Sequence, residues 1–191
     1  IAQQKEWPKP DRAAVMSIEE YDPKSSLVVP EHPKTRAKYP IIDVHNHQRP
    51  NANEAQMDKL VKDMDGINLQ IMVNLSGGYG DRLKANVATY TNNPKYKGRF
   101  AVFANLSYEE LEQPDYSERV AKQLEDDFKA GAQGLKFFKN FGMDLSEKNG
   151  KRIKIDDPRF DKAFEVCAKY GKPVLDRVIT PDTPLNEAAK C

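Results

Sequence analysis

Two histidines separated by one residue, His45 and His47, are the side chains of this sequence best suited to chemistry. The chain contains three histidines, and this pair follows the apolar run Tyr39-Pro40-Ile41-Ile42. Alternate side chains of a β-strand share a face, so we expect Asp43, His45 and His47 to lie together. Neutral imidazole is a favoured ligand for zinc, iron, nickel or manganese. The spacing therefore predicts two coordination positions of one ion, which would activate a water molecule at neutral pH.

A His-x-His sequence also arises by chance, and two exposed loop histidines need no function. The position of His45 and His47 after a strand that reads as buried favours metal ligation in the fold to which this sequence belongs. Whether this particular chain still binds a metal ion is a separate question that the spacing leaves open.

Composition limits the class of protein and its partners. The chain has 191 residues, of which 31% are charged and 39% hydrophobic, as expected for one soluble globular domain with a core. The net charge of +1 provides no strong field to attract nucleic acid or anionic lipid. No apolar run approaches the ~20 residues of a membrane span. We therefore expect a small-molecule substrate, with neither nucleic acid nor membrane as a partner.

The first residue of the sequence is Ile1, without an initiator methionine. A processed precursor would begin in this way, which would be typical of an exported protein, either periplasmic or secreted. A cloning boundary would give the same start, so both readings stay open.

The distribution of proline divides the chain into three segments. Residues 1–40 contain six of the 13 prolines, which predicts an extended N-terminal arm, because proline fixes φ and removes a hydrogen-bond donor. Residues 41–175 alternate between strand-like and helix-like patterns and form the predicted barrel domain. Residues 176–191 lack either periodicity and are expected to be an irregular C-terminal tail.

The alternating segment predicts a parallel α/β fold. The predicted strands cover 41–44, 69–75, 99–104 and 133–138, with a fifth beginning at 174–175, and the predicted helices cover 54–64, 81–90, 117–130 and 158–170. Such β/α repeats form either an open doubly wound sheet or a (β/α)₈ barrel. No Gly-x-Gly-x-x-Gly follows the first strand. Histidines follow it instead, at the carboxyl end where barrel enzymes carry their chemistry, which favours the barrel.

The segment 42–47, Ile-Asp-Val-His-Asn-His, resembles the amidohydrolase superfamily. More narrowly, it resembles metal-dependent hydrolases of the amidohydrolase-related type, which include aminocarboxymuconate-semialdehyde decarboxylase-like proteins. The segment 131–137, Gly-Ala-Gln-Gly-Leu-Lys-Phe, is similar to the fourth strand of that family, and 170–175 is similar to the approach to its fifth. The resemblance extends from about Tyr39 to Leu175.

The resemblance implies a distorted (β/α)₈ barrel, similar to a TIM barrel, with one or two divalent metals, zinc first and manganese or iron as alternatives. His45 and His47 match the first-strand metal ligands of the family. Lys136 matches a fourth-strand lysine that is carboxylated in some members and bridges two metals. An ordinary lysine with an ion-pair partner is an equally good interpretation of Lys136. No catalytic residue is identified.

The sequence departs from the family pattern after Leu175. A histidine at the end of strand five is a further family ligand, but here Asp176 follows and no histidine occurs after His47. The sequence also stops at Cys191, without room for strands six to eight. We therefore expect a truncated barrel of about four and a half β/α units, with uncovered sheet edges that favour self-association.

Several functions remain open. The first is metal-dependent hydrolysis of an amide, ester or lactone, and a close variant is non-oxidative decarboxylation. The second is a non-catalytic remnant or interaction module, which the absent strand-five histidine favours for this chain. The third is a phosphoesterase of the polymerase-and-histidinol-phosphatase type, which would need further histidines. Asn74, Ser76 and Asn105 at predicted strand ends would line a substrate pocket or cap loops, and we favour capping.

Overall fold

The computed structural model describes residues 21–24, 26–27, 30 and 32–176. The chain divides into two compact units, residues 1–34 and 35–191. In the first unit, the described residues form neither helix nor strand. The arm predicted over 1–40 lies largely outside the described residues, as does the tail predicted over 176–191 except for Asp176.

The second unit alternates strands with helices, as the sequence predicts. Its strands are β1 (Ile41–Asn46), β2 (Leu69–Asn74), β3 (Phe100–Ala104), β4 (Gly134–Lys136) and β5 (Val174–Leu175). Its helices are α1 (Glu54–Ile67), α2 (Gly80–Tyr90), α3 (Tyr116–Lys129) and α4 (Asp161–Tyr170), with 3₁₀ turns at Pro94–Tyr96 and Pro158–Phe160. Among these described helices, none is both long and apolar enough to cross a bilayer.

The five strands form one all-parallel sheet in the order β1-β2-β3-β4-β5. Strands that are consecutive in the chain are therefore neighbours in the sheet, and a helix lies in each connection. The sheet is curled into a half-barrel. This architecture confirms the α/β class and is compatible with part of a β/α barrel.

Helix α1 shows how local signals set the elements that flank the sheet. The Asn53 side chain accepts a hydrogen bond from the Gln56 amide, and the Gln56 side chain accepts one from the Asn53 amide, which is a capping box. The helix ends at Ile67, and its C-cap Asn68 has a left-handed φ of 67°. The predicted end at Met64 is three residues short, because the apolar residues that mark the helix in the sequence end before its last turn.

The core lies between the helices and the sheet. Buried side chains of α3, of the 3₁₀ turn at Pro158–Phe160 and of α4 include Leu124, Phe160 and Ala163, each with 0% exposure. Phe160 packs edge-to-face on Phe141, which stacks on Phe137 with ring centroids 4.3 Å apart. This aromatic cluster fixes the end of β4 against the 3₁₀ turn and α4.

The C-terminus of α3 differs by one residue from the prediction. The helix ends at Lys129 instead of residue 130, Ala130 is its C-cap, and Gly131 follows with a φ of 116°. A Cβ at Gly131 would lie 2.9 Å from Cγ1 of Val87. Glycine is therefore required there both by the backbone conformation and by the close approach of α2.

Candidate functional site

The strand that carries the histidines contains a β-bulge. In the pairing of β1 with β2, Asp43 lies opposite Met72 and Asn46 lies opposite Asn74. Three steps along β1 thus match two along β2, so β1 carries one extra residue around His45. A bulge changes the direction of the side chains that follow it. The simple alternation assumed from the sequence therefore does not hold across this segment.

His45 and His47 nevertheless lie side by side. Their ring centroids are 5.3 Å apart with an interplanar angle of 69°, and both side chains are exposed. The adjacency predicted from their spacing is confirmed. Metal ligation by the pair stays a prediction.

Asp43 does not join the histidine pair as a free carboxylate. Its Oδ1 accepts a hydrogen bond from the backbone N–H of His45 at 3.0 Å, and its Oδ2 accepts one from Nδ2 of Asn46 at 2.8 Å. Both oxygens are thus engaged by the histidine segment itself. Asp43 braces this segment, and the expectation that it shares a ligand face with the histidines gains no support.

His47 contacts two other strand ends. Its Nδ1 lies 2.8 Å from Oγ of Ser76, just after β2, and its ring stacks on Phe138, just after β4, at a centroid distance of 5.9 Å. The contact with Ser76 leaves Nε2 as the ring nitrogen without that hydrogen bond. The imidazole is therefore oriented by residues from outside its own strand.

The environment of His47 favours its neutral form. Partial burial lowers the pKa of His47 below its ordinary value of 6.5, and the nearby charges of His45 and Lys136 lower it further. At neutral pH the ring is therefore uncharged, which is the form that binds metal ions.

Lys136 is the last residue of β4 and is buried, with 3% exposure. Its electrostatic effect on His47 places its charge close to the histidine pair. His45 and His47 are thus adjacent, and Lys136 lies at the same carboxyl end of the sheet, at the end of β4.

Asn105 connects the ends of three strands. Its Oδ1 accepts a hydrogen bond from the Gly78 amide at 2.8 Å, and its Nδ2 donates to the carbonyls of Leu75 and Lys136, each at 3.1 Å. The side chain is 8% exposed. The predicted capping role of Asn105 is therefore confirmed.

Asn74 caps in the same way, whereas Ser76 does not. Oδ1 of Asn74 accepts hydrogen bonds from the backbone amides of Gln48 and Ser76. The hydroxyl of Ser76 instead contacts His47. Sequence reasoning missed this partner of His47, although both residues follow adjacent parallel strands at the same edge, which was the available signal.

The loop Ser76-Gly77-Gly78-Tyr79-Gly80 has the composition of an anion-binding loop before a helix. Three of its five amides donate to side chains: Ser76 to Asn74, Gly78 to Asn105, and Gly80 to the Asp127 carboxylate at 2.8 Å. Burial raises the pKa of Asp127, and the hydrogen bonds from Gln123 and Gly80 oppose that rise. These hydrogen bonds pack the loop against Asn74, Asn105 and Asp127.

Two adjacent imidazoles are the only part of the predicted metal site that the described residues bring into ring contact. In the part of the chain that the structure describes, no group of three or more His, Cys, Asp or Glu side chains could hold a metal ion. Ligation by His45, His47 and Lys136 therefore stays a prediction.

Comparison with known proteins gives no relative. No family model matches the chain, and neither the curated proteins nor the solved structures contain a match. The resemblance to the amidohydrolase superfamily consequently rests on the residues quoted above. The architecture stands by itself as a parallel α/β half-barrel with a histidine pair at the carboxyl end of its first strand.

Proposed function

We propose that His45 and His47 hold a divalent metal ion, zinc or alternatively manganese or iron, and that the chain is part of a metal-dependent hydrolase of the amidohydrolase type. The observation that carries this proposal is the adjacency of the two imidazoles, 5.3 Å apart, at the carboxyl end of β1. In β/α barrels the chemistry lies at this end of the strands. A bound ion would supply an activated water molecule for attack on an amide, ester or lactone carbon.

The surroundings of His47 support its role as a ligand. A metal ion competes with a proton for the imidazole, and the lowered pKa of His47 reduces that competition. Because Nδ1 is engaged by Ser76, Nε2 is the nitrogen left to bind. The Phe138 ring stacks on the imidazole with centroids 5.9 Å apart and adds an apolar neighbour on that side.

Lys136 would act in one of two opposite ways. As an ammonium its positive charge opposes the binding of a cation near His47, and this repulsion weakens the site. As a carboxylated lysine it would instead be an anionic oxygen ligand. The affinity of the histidine pair for metal is therefore expected to depend on the chemical state of Lys136.

We expect metal binding by this chain to be weaker than in sites with three protein ligands, because water would occupy most coordination positions. Hydrolytic activity of the chain alone is expected to be low for the same reason. Loss of one member of a cooperative catalytic site commonly costs orders of magnitude in rate.

The test is a zinc titration of the full chain in competition with a chromophoric chelator. We expect one weak site that is lost in His45→Gln and in His47→Gln. His32→Gln is the matched control, since it removes the third histidine of the chain and should leave zinc binding unchanged. Equal affinity in all four proteins would contradict the proposal, and absence of zinc binding in the unmodified chain would favour the non-catalytic alternative.

A screen of esters, lactones and carboxylic acids with added zinc or manganese tests the reaction class. Turnover that disappears in His45→Gln or His47→Gln would support the hydrolase or the decarboxylase, according to the substrate. Turnover at the rate of a complete enzyme would contradict the expectation of low activity.

A further inference from the structure

We propose that Ser76 is a positioning residue for His47: its hydroxyl orients the imidazole so that Nε2 is the nitrogen offered to a metal ion. The Oγ of Ser76 lies 2.8 Å from Nδ1 of His47. The part of this inference that concerns the metal rests on the proposed function. The orientation of the ring by Ser76 is a property of the chain itself and is tested separately below.

The Ser76 hydroxyl comes from a fixed part of the backbone. The amide of Ser76 donates to Oδ1 of Asn74 at 3.0 Å, and Asn74 is completely buried. The amide of Leu75, between them, donates to the carbonyl of Asn46 at 2.8 Å. Ser76 is thus held to the ends of both β1 and β2 before the glycine-rich loop begins.

The same Asn74 oxygen also holds the backbone next to His47. It accepts a second hydrogen bond from the amide of Gln48 at 3.1 Å. One buried acceptor therefore ties together the two segments that meet in the contact between His47 and Ser76. If the oxygen and nitrogen of the Asn74 amide were exchanged, its NH₂ group would face the backbone N–H groups of Gln48 and Ser76. The hydrogen bonds therefore determine the orientation of this amide.

A hydroxyl suits this position because it both donates and accepts. It can donate to Nδ1 when the ring proton is on Nε2. It can accept from a protonated Nδ1 when Nε2 binds a cation, which is the usual arrangement around a metal-bound histidine. The same contact between Ser76 and His47 therefore persists in both tautomers of the ring.

The stacking of Phe138 on the ring supplies the second restraint. With centroids 5.9 Å apart and an interplanar angle of 28°, Phe138 defines the plane in which the imidazole lies. The hydrogen bond from Ser76 then selects which edge of the ring faces β2. Together the two contacts set both the plane and the edge of the His47 ring.

The test combines zinc affinity with the ¹⁵N spectrum of the histidine rings in the full chain, recorded above pH 7.5. We expect Ser76→Ala to lower zinc affinity about 10-fold, the low end of the usual effect of removing such a partner. The Nδ1 resonance of His47 should move while that of His45 stays in place. Ser76→Thr, which keeps the hydroxyl, should restore both, and Ser146→Ala serves as a matched serine control in a different loop.

The two levels of the inference fail in different ways. Unchanged zinc affinity and an unchanged Nδ1 resonance in Ser76→Ala would overturn the positioning role. If the unmodified chain binds no zinc, the proposed function fails, and the resonance of metal-free His47 still decides whether Ser76 orients the ring. Loss of both properties in Ser76→Thr as well would indicate a packing effect and would also overturn the role of the hydroxyl.

Discussion

The imidazole of His47 stacks on the ring of Phe138, although β1 and β4 are separated in the sheet by two other strands. In a flat sheet, three strand spacings of about 4.8 Å would separate their backbones by roughly 14 Å. The ring centroids lie 5.9 Å apart. The curl of the sheet therefore contributes to bringing together side chains from non-neighbouring strands, and it gives the candidate site its concave form.

The first prediction concerns the titration of His47. Its pKa is lowered by partial burial, then by His45 and by Lys136. Removing the lysine charge in Lys136→Met should raise this pKa, because protonation of the ring would no longer be opposed by that charge. The pKa should stay below 6.5, since burial remains. NMR titration of the ring protons measures the midpoint, and Lys62→Gln, at an exposed lysine of α1, should leave it unchanged.

The same shift gives a direction to the pH dependence of stability. The unfolded chain binds a proton at the ordinary histidine pKa, above that of folded His47, so the unfolded state gains protons first as the pH falls. The contribution of His47 is therefore fully present above about pH 6.5. It declines as the pH falls through the folded pKa. Because this side chain is largely exposed, a small effect is expected, and His47→Gln should flatten the stability profile between pH 7 and 5. An unchanged stability profile in His47→Gln would contradict a lowered pKa of His47 in the folded state.

The part of the site that follows from spacing along one strand could be predicted from the sequence. His45 and His47 lie side by side as their spacing predicts, although β1 is bulged there, and the location of Lys136 follows from the parallel order of strands. The contacts of Ser76 and Phe138 with His47 depend instead on the curl and register of the sheet, which no local pattern encodes. The engagement of Asp43 by its own segment depends on the bulge in β1 and was missed for that reason.

Element types were predictable and element boundaries less so. The last helical segment begins at Pro158, as its predicted range 158–170 has it, and the Asp157 side chain accepts a hydrogen bond from the Arg159 amide. The first turn there is 3₁₀ rather than α. Strand β4 is shorter than predicted, because only Gly134–Lys136 form its ladder, although Phe137 is also buried. The predicted range 133–138 is therefore longer than the paired strand.

The second prediction uses two glycines with opposite surroundings. A Cβ at Gly77 would clash with the carbonyl oxygen of Phe103 and lie 2.7 Å from Cγ1 of Val102. Gly77→Ala should therefore destabilise the fold by about 2 kcal/mol, the usual scale of overpacking. At Gly66, in α1, no atom lies within 4 Å of such a Cβ. Gly66→Ala should stabilise by about 0.5 kcal/mol.

Urea denaturation followed by circular dichroism measures both changes in the free energy of unfolding. A Gly77→Ala variant as stable as the unmodified chain would show that the loop moves away from β3 at little cost. If Gly66→Ala destabilised the fold as much as Gly77→Ala, the space around the added Cβ would not be what determines the effect.

The third prediction concerns Asn105. Asn105→Ala would leave the Gly78 amide and the carbonyls of Leu75 and Lys136 without their side-chain partner in a buried region. Each buried polar group left unsatisfied costs roughly 1–3 kcal/mol, and partial hydration reduces the sum, so we expect a loss of about 3 kcal/mol. Asn92→Ala is the control, because that side chain is exposed at the end of α2. A loss below that of the control would contradict the clamping role of Asn105 between β2, β3 and β4.

The last prediction concerns self-association, which we propose to occur through β1. Within the described residues, β1 pairs on one side only, with β2, and its side chains Ile42 and Val44 are 57% and 60% exposed. An unpaired parallel edge strand with exposed apolar side chains tends to pair with another chain. We therefore expect an apparent mass above that of the 21.7 kDa monomer at micromolar concentrations in light scattering.

Val44→Lys should shift the equilibrium to monomer, since a charge on the edge opposes pairing. Ile67→Lys, at a 46% exposed apolar residue at the end of α1, should not. A monomeric unmodified chain, or an equal effect of the two lysine substitutions, would show that β1 is not the associating edge.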